Sequence, residues 1–68
     1  MEEPILKHGM ILRDVMIRQS DKSPKDALAF HGRMAIIVKG VELKKDEKRR
    51  VNIVVEDIKK TYAFARIL

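Results

Sequence analysis

The apolar residues of this chain recur with period two, and this alternation limits the fold more than any other feature of the sequence. It is clearest in residues 49–58, where Val51, Ile53 and Val55 alternate with outward neighbours, a pattern typical of a half-buried β-strand. A helix over residues 42–60 is disfavoured because the β-branched run VNIVV leaves no polar face. We therefore expect an all-β fold.

Four further segments alternate in the same way, so the sequence predicts five strands. The additional strands are expected at residues 10–18, 27–30, 33–39 and 60–67. The inner faces of the first, third and last strands are predicted to be Ile11, Val15 and Ile17, then Met34, Ile36 and Val38, then Ala63, Ala65 and Ile67. Within residues 49–58 the alternation breaks at Asp57, which predicts a β-bulge or strand end there.

Polar segments separate these strands. Residues 19–26 (QSDKSPKD) contain no hydrophobic side chain, and residues 40–48 (GVELKKDEK) end in a charge cluster, so both are predicted loops. The second and third strands are expected to join at His31 and Gly32, where glycine permits the positive φ of a tight turn. Five short strands with two long loops can close into a barrel, which leaves no exposed sheet edge.

The chain of 68 residues has room for one small domain, and its charge is unevenly placed. We assign residues 1–8 to an N-terminal leader, acidic at its start where a secretory signal would be basic, and residues 9–68 to the domain. The whole net charge of +5 lies after Gly32, because residues 33–68 carry 10 basic and 5 acidic side chains. A basic balance of this kind favours an anionic partner.

The composition argues against several classes of function. The absence of cysteine removes disulfide scaffolds, thiolate metal sites and cysteine nucleophiles, and it fits a reducing cytoplasm. The two histidines, His8 and His31, cannot form a zinc site without carboxylates. No apolar run approaches the ~20 residues of a membrane span. Without a catalytic triad or a glycine-rich phosphate loop, we expect no enzyme, cofactor, metal, membrane or small-molecule substrate.

The strongest functional signal is the last predicted strand and the lysines before it, KKTYAFARIL. Alternation places Lys60, Tyr62, Phe64 and Arg66 on one face. Such a row is typical of platforms on which single-stranded bases stack while Lys and Arg neutralise phosphates. Alternatively, Tyr62 and Phe64 form the core and the alanines face water, since rings are valuable for packing in a chain with so few aromatic residues.

Several short patterns together carry a family resemblance. They are ALA at 27–29, His31 with Gly32, MAIIV at 34–38 followed by Gly40, the charged loop 44–50, VNIVV at 51–55, and KKTYAFA at 59–65. In this order they resemble a TRAM domain, the small barrel of tRNA- and rRNA-modifying enzymes and of stand-alone archaeal proteins. The closing KKTYAFA is the specific part. Ala27 stands where the family usually has glycine, Phe30 where a cation is common, and Lys39 where proline often precedes the glycine.

The resemblance implies a single five-stranded OB-like β-barrel that binds tRNA, rRNA or structured mRNA with low sequence specificity, as an RNA chaperone. Phe30 is expected to add a third stacking ring. The RNA is expected to lie across the third to fifth strands and the loop 44–50, with the first half of the chain forming mainly barrel. The expected RNA-binding residues are Phe30, His31, Arg33, Lys39, Lys44, Lys45, Lys48, Arg49, Arg50, Lys59, Lys60, Tyr62, Phe64 and Arg66.

Two other functions fit the same residues. In the first, the apolar and basic face meets protein, as in a ribosome-associated scaffold. In the second, the chain is a small chromatin protein that prefers duplex DNA. The charged loop 44–50, which we call the basic loop, has two interpretations. Its five cations can bind phosphates without base preference, or the loop is simply a solvated turn.

Overall fold

Five strands make up the fold in the computed structural model, which describes residues 6–68. They are β1 (Ile11–Gln19), β2 (Ala27–His31), β3 (Met34–Val38), β4 (Lys48–Ile58) and β5 (Tyr62–Ile67). The strands close in the order β1-β2-β3-β5-β4, with β4 pairing back onto β1. All neighbours are antiparallel except β3 and β5, which are parallel. The predicted all-β, OB-like barrel is therefore confirmed.

The barrel interior is packed with alanines and β-branched aliphatic side chains. The side chains with no exposed surface are Ile17, Ala27, Ile36, Val38, Ile53, Val55, Ala63 and Ala65. Met34 and Val51 pack against this core while staying partly exposed. The inner faces predicted for the third and fourth strands are confirmed.

β1 departs from simple alternation because it contains a bulge. Its pairing with β4 shifts register between Leu12 and Val15, and Asp14 adopts a φ of 55°, which aspartate tolerates better than a bulky side chain does. The extra residue turns Leu12 inward together with Ile17, whereas Ile11 is exposed. The prediction that Ile11, Val15 and Ile17 share the inner face was wrong.

The connections also differ in detail from the predicted loops. His31 pairs with Met34, so the tight turn consists of Gly32 and Arg33, and Gly32 supplies the positive φ, 61°. The loop after β3 is not wholly solvated, because its Val41 and Leu43 are buried in the core. An apolar pair on either side of an exposed glutamate lets this loop cover the barrel interior.

β5 starts two residues later than predicted and ends at Ile67, as predicted. It begins at Tyr62, so Lys60 precedes the strand and does not belong to its face. At the other end Ile67 is exposed, which leaves two alanines as the inner face. The bulge predicted near Asp57 is confirmed by a register shift between Val55 and Asp57 in the pairing of β4 with β5.

The N-terminal segment reaches the barrel before the predicted domain boundary. Leu6 is buried in the core cluster, and the Gly9 amide donates a 2.7 Å hydrogen bond to the Val55 carbonyl. The remaining part of the predicted leader, residues 1–5, lies outside the described residues.

Candidate nucleic-acid interface

The register of β2, β3 and β5 places six side chains in two rows on the outside of the barrel. We call these six the aromatic face. One row is Phe30, Ala35 and Tyr62, and the next is Leu28, Ile37 and Phe64. Neighbouring strands lie ≈ 4.8 Å apart, so each row brings residues from three strands together. The aromatic face contains every aromatic residue of the sequence.

The rings lie outside the barrel. Phe30 is 57% exposed and Tyr62 is 37% exposed, and Phe64 is half-buried. Ala63 and Ala65, which alternate with them on β5, have no exposed surface. The alternative in which the rings form the core and the alanines face water is wrong, because the curved interior opposite β5 is already filled by isoleucine and valine side chains.

A groove runs over the aromatic face between two loops. Its floor is aliphatic, formed by Leu28, Ala35 and Ile37. The loop after β1 borders it through Ser20, Asp21, Lys22, Ser23 and Asp26, and Thr61 borders it just before β5. The groove therefore draws on the first half of the chain, through β2 and the loop after β1, as much as on the second half. Part of the chain that we expected to form mainly barrel therefore also lines this groove.

Cations lie against two of the rings. The Lys39 ammonium is 4.4 Å from the Phe64 ring centroid, and the Arg18 guanidinium is 5.8 Å from that of Phe30. Tyr62 and Phe64 meet edge to face, with centroids 5.4 Å apart. A cation over an exposed ring contributes about 0.5–1 kcal/mol. A base that stacks on the covered side of Phe64 must displace Lys39, which then stands next to the incoming phosphates.

Four of the predicted RNA-binding cations are engaged with carboxylates instead. The exposed ion pairs are Arg49 with Glu47 at 2.8 Å, Arg50 with Asp14 at 3.2 Å, Lys59 with Asp57 at 3.2 Å, and Arg66 with Glu56 at 3.4 Å. Exposed pairs of this kind contribute little stability, but a phosphate must compete with the carboxylate for each cation. Within residues 6–68, the lysines Lys44, Lys45, Lys48 and Lys60 form no ion pair.

The basic loop contains a hydrogen-bonded turn. The Glu47 amide donates to the Lys44 carbonyl at 3.0 Å, and the Lys44 amide donates to the Glu47 carboxylate at 3.1 Å. The hydrogen bond from the Lys44 amide to the Glu47 carboxylate, and then the side-chain hydrogen bond from Arg49, hold the pKa of Glu47 below its usual value. Lys45 of this loop and Lys48, the first residue of β4, border a separate depression together with Ser20 and Asp21, so the basic loop approaches the aromatic face only across the loop after β1.

The remaining predicted contacts lie at the β2–β3 turn. Arg33 is exposed in the turn, and His31 is half-buried at the end of β2. Because side chains alternate along a strand, His31 does not share the outer face with Phe30. The structure therefore brings Phe30, Tyr62, Phe64 and Lys39 together and leaves His31 apart from them.

Several residues of this surface were not predicted from the sequence. Leu28 and Ile37 form the groove floor, and Arg18 lies against Phe30. Alternation alone would place these side chains on outer faces. It does not say that β3 lies between β2 and β5, and that order is what makes them neighbours of the rings.

Neither a cluster of metal-ligating side chains nor a membrane-spanning helix is found in the described part of the chain. No group of three metal-ligating side chains occurs among residues 6–68, and every buried side-chain nitrogen or oxygen there has a hydrogen-bond partner. The same residues contain no helix with the length and apolar character to span a lipid bilayer.

The fold and its outer surface define an OB-like barrel that carries an aromatic groove, with cations against two of its three rings. Comparison with protein-family models, with curated proteins and with solved structures finds no match to this chain. The resemblance to a TRAM domain therefore stays a prediction from the sequence.

Proposed function

We propose that this protein is a TRAM-like RNA-binding module that holds unpaired stretches of tRNA, rRNA or structured mRNA in the cytoplasm. The observation that carries the proposal is the placement of Phe30, Tyr62 and Phe64. All three rings lie outside the barrel on one continuous face, with Lys39 and Arg18 against them. Rings flanked by cations are what single-stranded nucleic acid needs, because bases stack and phosphates are neutralised.

The groove floor accounts for low sequence specificity. Leu28, Ala35 and Ile37 carry no side-chain hydrogen-bonding group, so bases on this face meet rings and aliphatic carbon. Stacking contributes about 1–3 kcal/mol per base and tolerates every base, whereas discrimination requires hydrogen bonds to base edges. Loops, bulges and ends of folded RNA supply such unpaired bases.

An RNA chaperone activity follows from the same contacts. A base stacked on Phe30 or Tyr62 is withdrawn from RNA base pairing, so binding favours the unpaired state by the differential affinity of the protein for the two states. Weakly paired or mispaired segments open and can pair again after release. No covalent step is involved.

One observation favours a second candidate. The aliphatic floor of Leu28, Ala35 and Ile37 also suits the apolar side chain of a protein partner, as in a ribosome-associated scaffold. In that case the apolar contact decides affinity and phosphate plays no part, so nucleic-acid binding and its salt dependence separate the two candidates.

The test is a fluorescence polarisation titration with single-stranded RNA, hairpin RNA and duplex DNA at several salt concentrations. We expect single-stranded RNA, or hairpins with large loops, to bind best, with log K falling linearly against log salt. Absence of RNA affinity at about 50 mM salt would contradict the proposal, since electrostatic attraction is strong there. A preference for duplex DNA would indicate the chromatin alternative.

Phe30→Ala isolates the stacking contribution. Phe30 is the most exposed ring, so its removal should lower RNA affinity by about 1–3 kcal/mol while leaving the circular dichroism and unfolding midpoint almost unchanged. Leu68→Ala is the matched control, because Leu68 is 64% exposed and lies outside the groove. Equal losses of affinity in both variants would mean that the aromatic face does not bind RNA.

A further inference from the structure

β1 and β2 separate soon after they meet, and a second groove opens between them. They pair only at Arg18 with Leu28 and at Gln19 with Ala27, whereas β1 stays paired with β4 along most of its length. The groove is lined by residues 14–18 of β1, residues 28–30 of β2, and Lys48 and Arg50 of β4.

The lining of this second groove divides into an apolar side and a cationic side. Met16, 44% exposed, and Phe30 form the apolar side. On the cationic side, Arg50 lies opposite Met16 and Lys48 lies opposite Arg18 in the β1–β4 register. Asp14 is the one carboxylate lining it, and Arg50 neutralises that carboxylate at 3.2 Å. Two cations, Arg18 and Lys48, therefore remain for an anionic ligand.

Phe30 lies between the second groove and the groove of the aromatic face. Together with Leu28 it lines the aromatic-face groove and the second groove alike. The Arg18 guanidinium lies 5.8 Å from its ring centroid, so a cation already accompanies the ring where the two grooves meet. Beyond Phe30, the one carboxylate that lines the second groove is Asp14, and it is already paired with Arg50.

We propose that single-stranded RNA on the aromatic face continues over Phe30 into the second groove. The next base packs against Met16, whose flexible thioether suits irregular apolar contacts. The adjoining phosphates meet Arg18 and Lys48. The inference rests on the proposed function and extends it, because it gives the module a longer binding path that includes β1, from which no RNA contact was predicted.

The test compares oligouridines of about four and about eight nucleotides, within the range of site sizes known for OB folds. For wild type we expect the longer oligomer to bind about 50-fold more tightly than the shorter one. A protein that binds only about four nucleotides would gain about fivefold, because the longer oligomer offers more binding registers. In the double variant Met16→Ser with Lys48→Gln, the gain in affinity from the shorter to the longer oligomer should fall to about this fivefold value. Both side chains are exposed, so the double variant is expected to fold.

Arg13→Gln is the control for charge. Arg13 lies on β1 and is exposed, it lines neither groove, and its replacement removes one positive charge as Lys48→Gln does. It should leave the gain of the longer oligomer unchanged. If wild type and the double variant show the same gain, the second groove is not part of the path, although the proposed function stands. If neither oligomer binds wild type, the proposed function itself fails.

Methyl NMR of the methionines gives an independent readout. The Met16 methyl group should shift with the longer oligomer and much less with the shorter one. Met34, which packs against the core, serves as the internal reference. A Met16 signal that does not respond to the longer oligomer would overturn the inference whatever the affinities.

Discussion

The inner and outer faces of the β3–β5 pair are made of different residues although they alternate along the same two strands. Inside, Ile36, Val38, Ala63 and Ala65 have no exposed surface. Outside, Ala35 and Ile37 lie beside Tyr62 and Phe64. Core packing therefore uses aliphatic side chains alone, and the rings of these strands are left to the surface.

This difference runs against the usual value of aromatic residues for stability. A buried ring removes about 150–250 Å² from water, more than any aliphatic side chain. In a domain of this size, which buries only about 60% of its unfolded surface, such burial would be especially useful. The inner face thus supplies stability and the outer face supplies binding. Substitutions inside should destabilise the barrel, and substitutions outside should weaken the binding of its ligand.

The largest expected effect comes from substituting the two adjacent isoleucines of β3. Ile36→Ala should lower the free energy of unfolding by about 2–5 kcal/mol, because it leaves a cavity in the core. Ile37→Ala, on the half-buried outer face, should cost about 1 kcal/mol and should weaken RNA binding instead. Urea denaturation followed by circular dichroism measures the first effect, and polarisation measures the second. Equal destabilisation by the two variants would remove the distinction between the faces.

A smaller effect is expected from substituting two adjacent lysines, Lys59 and Lys60, which precede β5 in the chain. Lys59 is ion-paired with Asp57, whereas Lys60 has no ion pair within the described residues and lies next to the groove residue Thr61. Each change to Gln removes one positive charge, so long-range attraction falls equally. Only Lys60→Gln should also remove a phosphate contact, which lowers the slope of log K against log salt by about 0.7 for single-stranded RNA.

The salt series also shows how the prediction could fail. Identical slopes for Lys59→Gln and Lys60→Gln would mean that the Asp57 carboxylate does not hold Lys59 back from RNA. A larger loss of slope in Lys59→Gln would mean that RNA displaces the carboxylate and prefers the paired lysine. Either result would change which of the two lysines is assigned as a phosphate contact beside the aromatic face.

The strands could be predicted from the sequence because period two is a local property. The inner faces of β3 and of β4 up to Val55 follow directly from alternation, and the bulge near Asp57 is visible as a break in it. The bulge in β1 was not visible. Asp14 keeps its positive φ beside two residues of β4, since its amide donates to Asn52 and its carboxylate accepts from Arg50.

The groove could be predicted only in part because it depends on which strands are neighbours. That Tyr62 and Phe64 share one face of the strand could be predicted from β5 alone. Phe30 joins them because Ala35 of β3 pairs with both Phe30 and Tyr62, an order that no local pattern contains. The ion pairs that occupy four of the predicted cations are likewise side-chain geometry, which composition and charge counts do not reveal.

The smallest expected effect lies in the basic loop, which belongs to neither face of the β3–β5 pair. The Glu47 carboxylate accepts hydrogen bonds from the Lys44 amide and the Arg49 guanidinium, and these hold the pKa of Glu47 below its usual value. A carboxyl group with a lowered pKa in the folded state adds stability above its unfolded pKa of about 4.3 and loses it as pH falls through the folded pKa. Glu47→Gln should therefore lower the urea midpoint slightly at pH 6, and this difference should shrink as the pH is lowered toward 3. The same difference at both pH values would mean that the carboxylate charge does not stabilise this turn.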